Sequence, residues 1–278
     1  MFIDEAGQLG LADALAASTA AHNLVLLGDP LQLAQVTKAS HPRNSGRSVL
    51  DHVLDGEETI PPTKGVFLST TRRMHDDICE FISQQIYEGR LDPHDDCGRQ
   101  STAAGTGLRW LRAEHQGNVT SSPEEASLIV TAVRSLLGTD WTDDTEQTQP
   151  LTVEDFVVVT PYNDQRLLIE ELFNSEADTR GLHVATVDKF QGQEKAVVFF
   201  SMAASAGENV PRGTDFLFSR NRLNVAISRA KCLAYLVCTE ELLYTRARDV
   251  DDMRLISTLN AFVQYAQRQT SELAGTQE

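Results

Sequence analysis

Cysteine is scarce and scattered. The four cysteines, at positions 79, 97, 232 and 238, form no C-x-x-C pair. That argues against a zinc site or a disulfide framework and fits free thiols in a reducing compartment. Basic residues are also in deficit: 24 Lys+Arg stand against 40 Asp+Glu, a formal charge of −16. A general polyanion-binding coat is thereby excluded, although a local cationic cleft is not. No apolar run approaches the roughly 18–20 residues that span a bilayer. Asp4 and Glu5 interrupt the amino terminus where a signal peptide needs a basic and then an apolar stretch. Together these absences lead us to expect a soluble, cytoplasmic protein with no membrane partner. What is present is a chain of 278 residues, 41% hydrophobic and 23% charged. It is long enough to bury a substantial core and too apolar to stay disordered.

Short runs rich in Val, Ile and Phe alternate with helical patterns, the signature of an α/β fold. Met1-Phe2-Ile3 ends in Asp4-Glu5-Ala6-Gly7. A helical pattern over 8–21 follows, and then Leu24-Val25-Leu26-Leu27 ends in Gly28-Asp29-Pro30. A strand, a crossover of about 20 residues and a second strand make a parallel βαβ unit, with both acidic turns at strand carboxyl ends. Residues 55–65, with Gly56, Pro61, Pro62 and Gly65, read as a linker. Beyond it a helix is expected from Thr71, with Met74, Ile78, Phe81, Ile82 and Ile86 on one face. The stretches 92–106 and 138–150 read as surface loops, the second acidic and mobile. Further strands are expected at Phe156–Val159, Leu182–Val187, Ala196–Ser201 and Leu233–Val237, with helices at 163–176, 220–231 and 250–268. No internal repeat is present.

Four segments have the makings of an anion site. Asp4-Glu5 offers one oxygen ligand for Mg²⁺ and one base for water, but alone it reads first as an acidic turn capping the next helix. Gly28-Asp29-Pro30-Leu31-Gln32 is ordinary strand-to-helix punctuation until it is paired with Asp4-Glu5; Gln32 can then place an amide near a phosphate. Arg72 and Arg73, in an expected first helical turn, would face the positive end of the helix dipole. They make sense there if an anion sits between them, or if they point to solvent beside Asp76 and Asp77. The segment 219–231 carries Arg220, Arg222, Arg229 and Lys231 around an apolar stripe of Leu223, Ile227 and Ala230, with Arg212 nearby. Such a run is usually a solvated helix face, yet its concentration in so acidic a chain favours an anionic ligand.

In order, Asp4-Glu5-Ala6-Gly7-Gln8, Leu27-Gly28-Asp29-Pro30-Leu31-Gln32-Leu33, Arg72-Arg73-Met74-His75, Thr160-Pro161-Tyr162-Asn163-Asp164-Gln165, Val187-Asp188-Lys189-Phe190-Gln191-Gly192-Gln193-Glu194 and Arg222-Leu223-Asn224-Val225-Ala226-Ile227-Ser228-Arg229-Ala230 resemble superfamily 1 helicases of the Upf/Dna type. The segments match helicase motifs II, III, IV, the Thr-Pro-Tyr segment, V and VI, and the resemblance spans essentially the whole chain. The opening also resembles bacterial proteins in which such a helicase follows a RecB-like nuclease region. The resemblance implies two RecA-like domains, with ATP and Mg²⁺ at their interface and single-stranded nucleic acid, DNA ahead of RNA, across their top. Residues 1–54 would be the end of the first domain, 55–65 the linker and 66–278 the second domain.

By motif position the resemblance implies that Asp4 holds Mg²⁺, Glu5 activates water, Gln32 senses the γ-phosphate, and Arg73 and Arg229 contact phosphate. Arginines of that kind can be worth roughly 10³–10⁵ in rate, about 4–7 kcal/mol of barrier. Asp29, Arg72, Gly192, Glu194 and Arg222 are expected on the nucleotide: Gly192 for close backbone approach, Glu194 for the ribose. Thr160, Tyr162 and Thr186 fall where the family lines its nucleic-acid track.

Two features depart from the family. Arg72 stands where an aromatic residue usually stacks on adenine, a role that a guanidinium plane can also take. More consequentially, the chain contains no G-x-x-x-x-G-K-[ST]; Gly46-Arg47-Ser48 lacks the first glycine and the lysine and reads as loop. The chain therefore reads as the C-terminal portion of a helicase whose N-terminal half, with or without a nuclease domain, would be its partner. Residues 1–54 are expected to leave a sheet edge unpaired, with marginal order or self-association. Two functions follow: an ATP-driven helicase or translocase, inactive without the missing P-loop, or a non-catalytic truncated module that binds nucleic acid or a partner.

Overall fold

A computed structural model describes residues 1–33, 45–190, 192–208 and 210–275. At the amino terminus β1 (Phe2–Ile3) and β2 (Val25–Leu26) pair in parallel, Phe2 beside Val25 and Ile3 beside Leu26, with α1 (Leu11–Ser18) between them. The βαβ unit and the position of its acidic turns are as the sequence leads one to expect. Helix α2 (Val49–Leu54) is capped by Ser48, whose Oγ accepts the Asp51 N–H at 3.0 Å. Ala6, Ala14, Val49, Leu50 and Leu54 form a small core of their own. Phe2 and Leu15 remain 76% and 61% exposed, so much of this piece's apolar surface is uncovered.

The larger part is built on five strands, all neighbours parallel. In spatial order they are β10 (His183–Thr186), β9 (Phe156–Thr160), β11 (Lys195–Ser201), β12 (Ala230–Thr239) and β6 (Gly107–Ala113). Their side chains alternate between two layers. Phe156, Val158, Val197 and Phe199 face α4 (Pro123–Leu136) and α5 (Asn163–Ser175) through Ile129, Val133, Ile169 and Phe173. Val157, Val159, Val198 and Phe200 face α3 (Asp76–Ile86), α7 (Arg220–Ile227) and α9 (Val250–Gly275) through Ile78, Phe81, Ile82, Val225 and Phe262. Because both faces are covered, each strand is a near-continuous apolar run. Burying each such side chain contributes roughly 1.5–3 kcal/mol. This is the expected α/β class with a parallel sheet. Short helices α6 (Thr214–Leu217) and α8 (Glu240–Leu243) complete the larger part. No helix among the described residues is long and apolar enough to cross a membrane.

Several local expectations are corrected. The helix expected from Thr71 starts five residues later. Thr70 and Thr71 form β3, paired with β4 (Asp92–Pro93), and His75 caps α3 by accepting the Asp77 N–H at 3.2 Å. Asp76 and Asp77 then occupy the first turn, where the dipole favours acid, and both arginines escape it. The stretch expected to be a mobile acidic loop is instead a hairpin of β7 (Asp140–Thr142) and β8 (Thr148–Pro150), with β5 (Ser101–Thr102) beside it. Trp141 pins this hairpin into the core beside Leu136 and Leu151, and Asp143 accepts N–H groups from Thr145 and Gln147 at its turn. Strand β6 and helix α4 were not anticipated. Residues 55–65 are tied down: Lys64 Nζ donates to the Leu54 carbonyl at 2.7 Å and Arg90 to that of Ile60 at 3.1 Å.

Candidate functional site

The two acidic turns are built against each other. The Ala6 N–H donates to the Leu27 carbonyl at 2.8 Å, extending the β1–β2 pairing into both turns. This approach needs glycine: a Cβ on Gly7 would lie 2.7 Å from the Asp29 carbonyl oxygen, and one on Gly28 would lie 2.8 Å from the Ala6 nitrogen. Asp4 accepts the Glu5 N–H at 2.9 Å, Glu5 adopts φ 52°, and both carboxylates are exposed. Asp29 accepts the Leu31 N–H at 2.9 Å on one oxygen and the Gln32 amide at 3.0 Å on the other.

Facing these turns are Arg73, between β3 and α3, and residues from the amino ends of β11 and β12. Arg73 donates from Nε to Glu194 at 2.8 Å and from a terminal nitrogen to the Ser228 carbonyl at 3.2 Å. Lys231 pairs with the other Glu194 oxygen at 2.9 Å. Partial burial pushes the Glu194 carboxyl up, but the bonds from Arg73 and Lys231 outweigh it and hold the group below the usual carboxylate range. Arg229 donates to Gln32 Oε1 at 3.1 Å and is buried, and its Nε has no partner. Burial and then the like charge of Arg73 pull its pKa down, against Glu5, Tyr87 and Asp29. A buried guanidinium with an orphaned donor beside a second guanidinium is a place an anion would relieve.

The structure thus gathers Glu5, Asp29, Gln32, Arg73, Arg229 and Glu194 around one cleft. A cavity of about 580 Å³ opens beside it, with Arg72 exposed on its lining. Gly192, close by in sequence, adopts φ 79° with open space around it; Gln191 lies outside the described residues. Arg222 is not drawn into this cluster. It pairs with Asp188 at 3.1 Å and lies 4.0 Å over the Phe216 ring, beyond the carboxyl end of β10. Thr160 and Thr186 sit side by side on β9 and β10, and with Tyr162 they are buried; the Tyr162 hydroxyl points to the Pro211 carbonyl at 3.4 Å. The cationic surface beside them belongs to Arg212, 3.7 Å over the same Phe216 ring. Three residues of the cleft carried no expectation of their own: Tyr87, Asn221 and Asn224. The two asparagines lie within the basic segment; Tyr87 had no local signal.

The fit to nucleotide and Mg²⁺ rests on these donors. The orphaned Arg229 Nε and the Arg73 fork suit phosphate oxygens. Among the described residues no group of three or more His, Cys, Asp and Glu could cage a metal. Mg²⁺ that keeps its waters and takes phosphate oxygens needs only one or two protein carboxylates, and Asp4 is exposed at the end of β1.

The chain is similar to known proteins over most of its length. The family described as "AAA domain" matches residues 46–241, more than half the chain, and "Viral superfamily 1 RNA helicase core domain" matches residues 1–89. The probable helicase MAGATAMA 3 of Arabidopsis thaliana is 29% identical over 258 residues, covering 85% of this chain and 30% of that protein. The DNA replication ATP-dependent helicase/nuclease JHS1 of the same plant is 27% identical, covering 87% of this chain and 19% of that protein. The chain therefore spans less than a third of these relatives. A solved structure of arterivirus nonstructural protein 10 (helicase) with DNA aligns at a TM-score of 0.42 and 18% identity, covering 91% of this chain and 41% of that one. By its matching families and relatives, the chain belongs to the superfamily 1 helicases.

Proposed function

We propose that this chain supplies the C-terminal part of an ATP-dependent motor that moves on single-stranded nucleic acid, DNA ahead of RNA. Residues 1–54 would complete a first RecA-like domain, 55–65 would be the linker and 66–278 the second domain. The observation that carries the reading is the meeting of Gln32 and Arg229 at 3.1 Å across the two parts, with Arg73 beside them and an orphaned donor left over. In this reading Asp4 holds Mg²⁺, Glu5 takes a proton from water, and Arg73 and Arg229 face the phosphates. Asp29, Arg72, Gly192 and Glu194 line the nucleotide. Bound Mg²⁺ would neutralise charge on the phosphate oxygens. The buried Thr160, Tyr162 and Thr186 would support the strand-facing surface from below, and Arg212 and Arg222 would supply its charge.

No P-loop sequence occurs in the chain, so we propose that a partner segment provides the phosphate cradle, with or without a nuclease domain, in the cytoplasm. The second reading is a non-catalytic module that binds nucleic acid or a partner. A chain extended upstream through a P-loop decides between them. The motor reading expects ATPase activity stimulated by single strands and abolished by Glu5→Gln with nucleotide binding retained. Strand binding without turnover in that extended chain would favour the module.

A further inference from the structure

Tyr87, just past the end of α3, holds the two parts together by its hydroxyl. Its Oη donates to Asp29 Oδ2 at 2.5 Å and accepts from the Asn224 amide at 2.9 Å. Asn224 is completely buried on α7, and its amide also donates to the Leu31 carbonyl at 3.0 Å. One turn earlier Asn221 donates to the carbonyls of Pro30 at 3.3 Å and Gln32 at 2.5 Å. Two asparagines of α7 therefore grip three successive carbonyls of the Gly28–Gln32 turn.

The directions of these bonds are fixed by chemistry. A carboxylate only accepts, so the phenol must donate to Asp29 and is left to accept from Asn224. Asp29 also accepts from Gln32 Nε2, which turns Gln32 Oε1 away from Asp29 and toward the Arg229 guanidinium. Asn224, Tyr87, Asp29, Gln32 and Arg229 thus form a circuit that begins on α7 and closes just beyond its end. Burial and the Asp29 charge raise the phenol's pKa, so it remains a donor at any ordinary pH.

We propose that Tyr87 is a positioning residue that fixes the orientation of Asp29, and through it the amide of Gln32, toward Arg229. Any anion that reaches Arg229 meets a Gln32 whose orientation is set by Tyr87, just past the end of α3. The placing of this circuit at a nucleotide site rests on the function proposed above; the positioning itself does not. A Tyr87→Phe variant retains the ring, whose centroid is 6.1 Å from that of Phe67, and removes only the hydroxyl.

The test is amide hydrogen exchange on the chain as it stands. Tyr87→Phe is expected to speed exchange at Leu31, whose N–H is held by Asp29 Oδ1, at least tenfold, leaving Val157–Val159 unchanged. Unchanged exchange at Leu31, or equal acceleration in both places, overturns the proposal. Should Tyr87→Phe fail to fold, Asp29→Asn in protein carrying ¹³Cζ-tyrosine is expected to displace the Tyr87 signal; an unmoved signal overturns the proposal. Binding of Mg²⁺-pyrophosphate is measured in parallel on both proteins. A fivefold or greater loss in Tyr87→Phe, with the wild type binding, extends the positioning to the anion. A wild type that binds no pyrophosphate counts against the nucleotide reading alone, because the Leu31 result decides Tyr87 independently.

Discussion

Arg73 and Glu194, 121 positions apart in sequence, meet at 2.8 Å at the edge of the cleft, and Lys231 holds the second oxygen of the same carboxylate. One carboxylate thus restrains two cations at the edge of the cleft. In the folded protein its pKa lies below the ordinary 4.5. The pair's stabilisation is therefore present in full above about pH 4.5 and lost as pH falls through the lower, folded value. Both side chains are about a third or more exposed, so the magnitude is small. Glu194→Gln is expected to cost roughly 0.2–1 kcal/mol at pH 7. Urea denaturation across pH should show the difference from wild type closing below the carboxylate range; a constant difference down to pH 2 would be the wrong result.

The fit between the acidic turns makes a sharper prediction. Gly7→Ala places a methyl 2.7 Å from a backbone oxygen that cannot move without disturbing Asp29. The cost should be about 1–3 kcal/mol, confined to the amino-terminal piece. Hydrogen exchange at Ala6, whose N–H donates to Leu27, should accelerate while the strands of the large sheet stay protected. Unchanged protection at Ala6 would mean that the turns are not packed as described.

What could be read in the sequence follows from how local each signal is. Strands β9 to β12 are legible because burial on both faces leaves unbroken runs such as Phe156-Val157-Val158-Val159. Strand β6 escapes because Arg109 and Arg112 interrupt it; Arg109 donates to the Leu108 and Ala104 carbonyls, and Arg112 pairs with Glu240. Helix α4 does carry a local signal, with Ser122 as cap, Pro123 in the first turn and Glu124-Glu125 behind them. Arg72-Arg73 reads as a helix start in the sequence because apolar periodicity cannot show where a cap falls. The acidic residues of 140–146 hid a hairpin that depends on one buried tryptophan. In the cleft, motif order identified Gln32, Arg73, Glu194 and Arg229, but nothing local marks Tyr87, whose partners lie 58 and 137 positions away.

A second buried polar cluster lies at the opposite, carboxyl end of the sheet. The Glu125 and His115 side chains are inaccessible to solvent and meet at 3.1 Å. The other Glu125 oxygen accepts from Ser201 Oγ at 2.6 Å and from the Ala203 N–H at 2.9 Å, where Ala203 adopts φ 64°. Glu125→Ala removes the acceptor for all three donors at once and should cost about 3–5 kcal/mol in chemical denaturation. A loss under 1 kcal/mol would mean the cluster is replaceable by water.

Strand binding should be read from its salt dependence. Arg212 and Arg222 stack on one phenylalanine, at 3.7 and 4.0 Å, with Asp188 paired to Arg222. Arg212 is exposed and has no carboxylate of its own among the described ion pairs, so it is the free charge of the two. If a phosphate of a single strand takes its place beside Arg212, Arg212→Ala removes one released counterion. The slope of log affinity against log salt should then fall in magnitude by about 0.7. Affinity should drop by a similar factor on oligonucleotides of different sequence, because phosphate contacts carry no sequence information. Phe216→Leu, which removes the ring but retains bulk, should reproduce part of the loss by releasing both guanidiniums. An unchanged slope in Arg212→Ala, measured by fluorescence anisotropy between 50 and 200 mM salt, would remove Arg212 from the strand-facing surface and leave Arg222 as its remaining candidate.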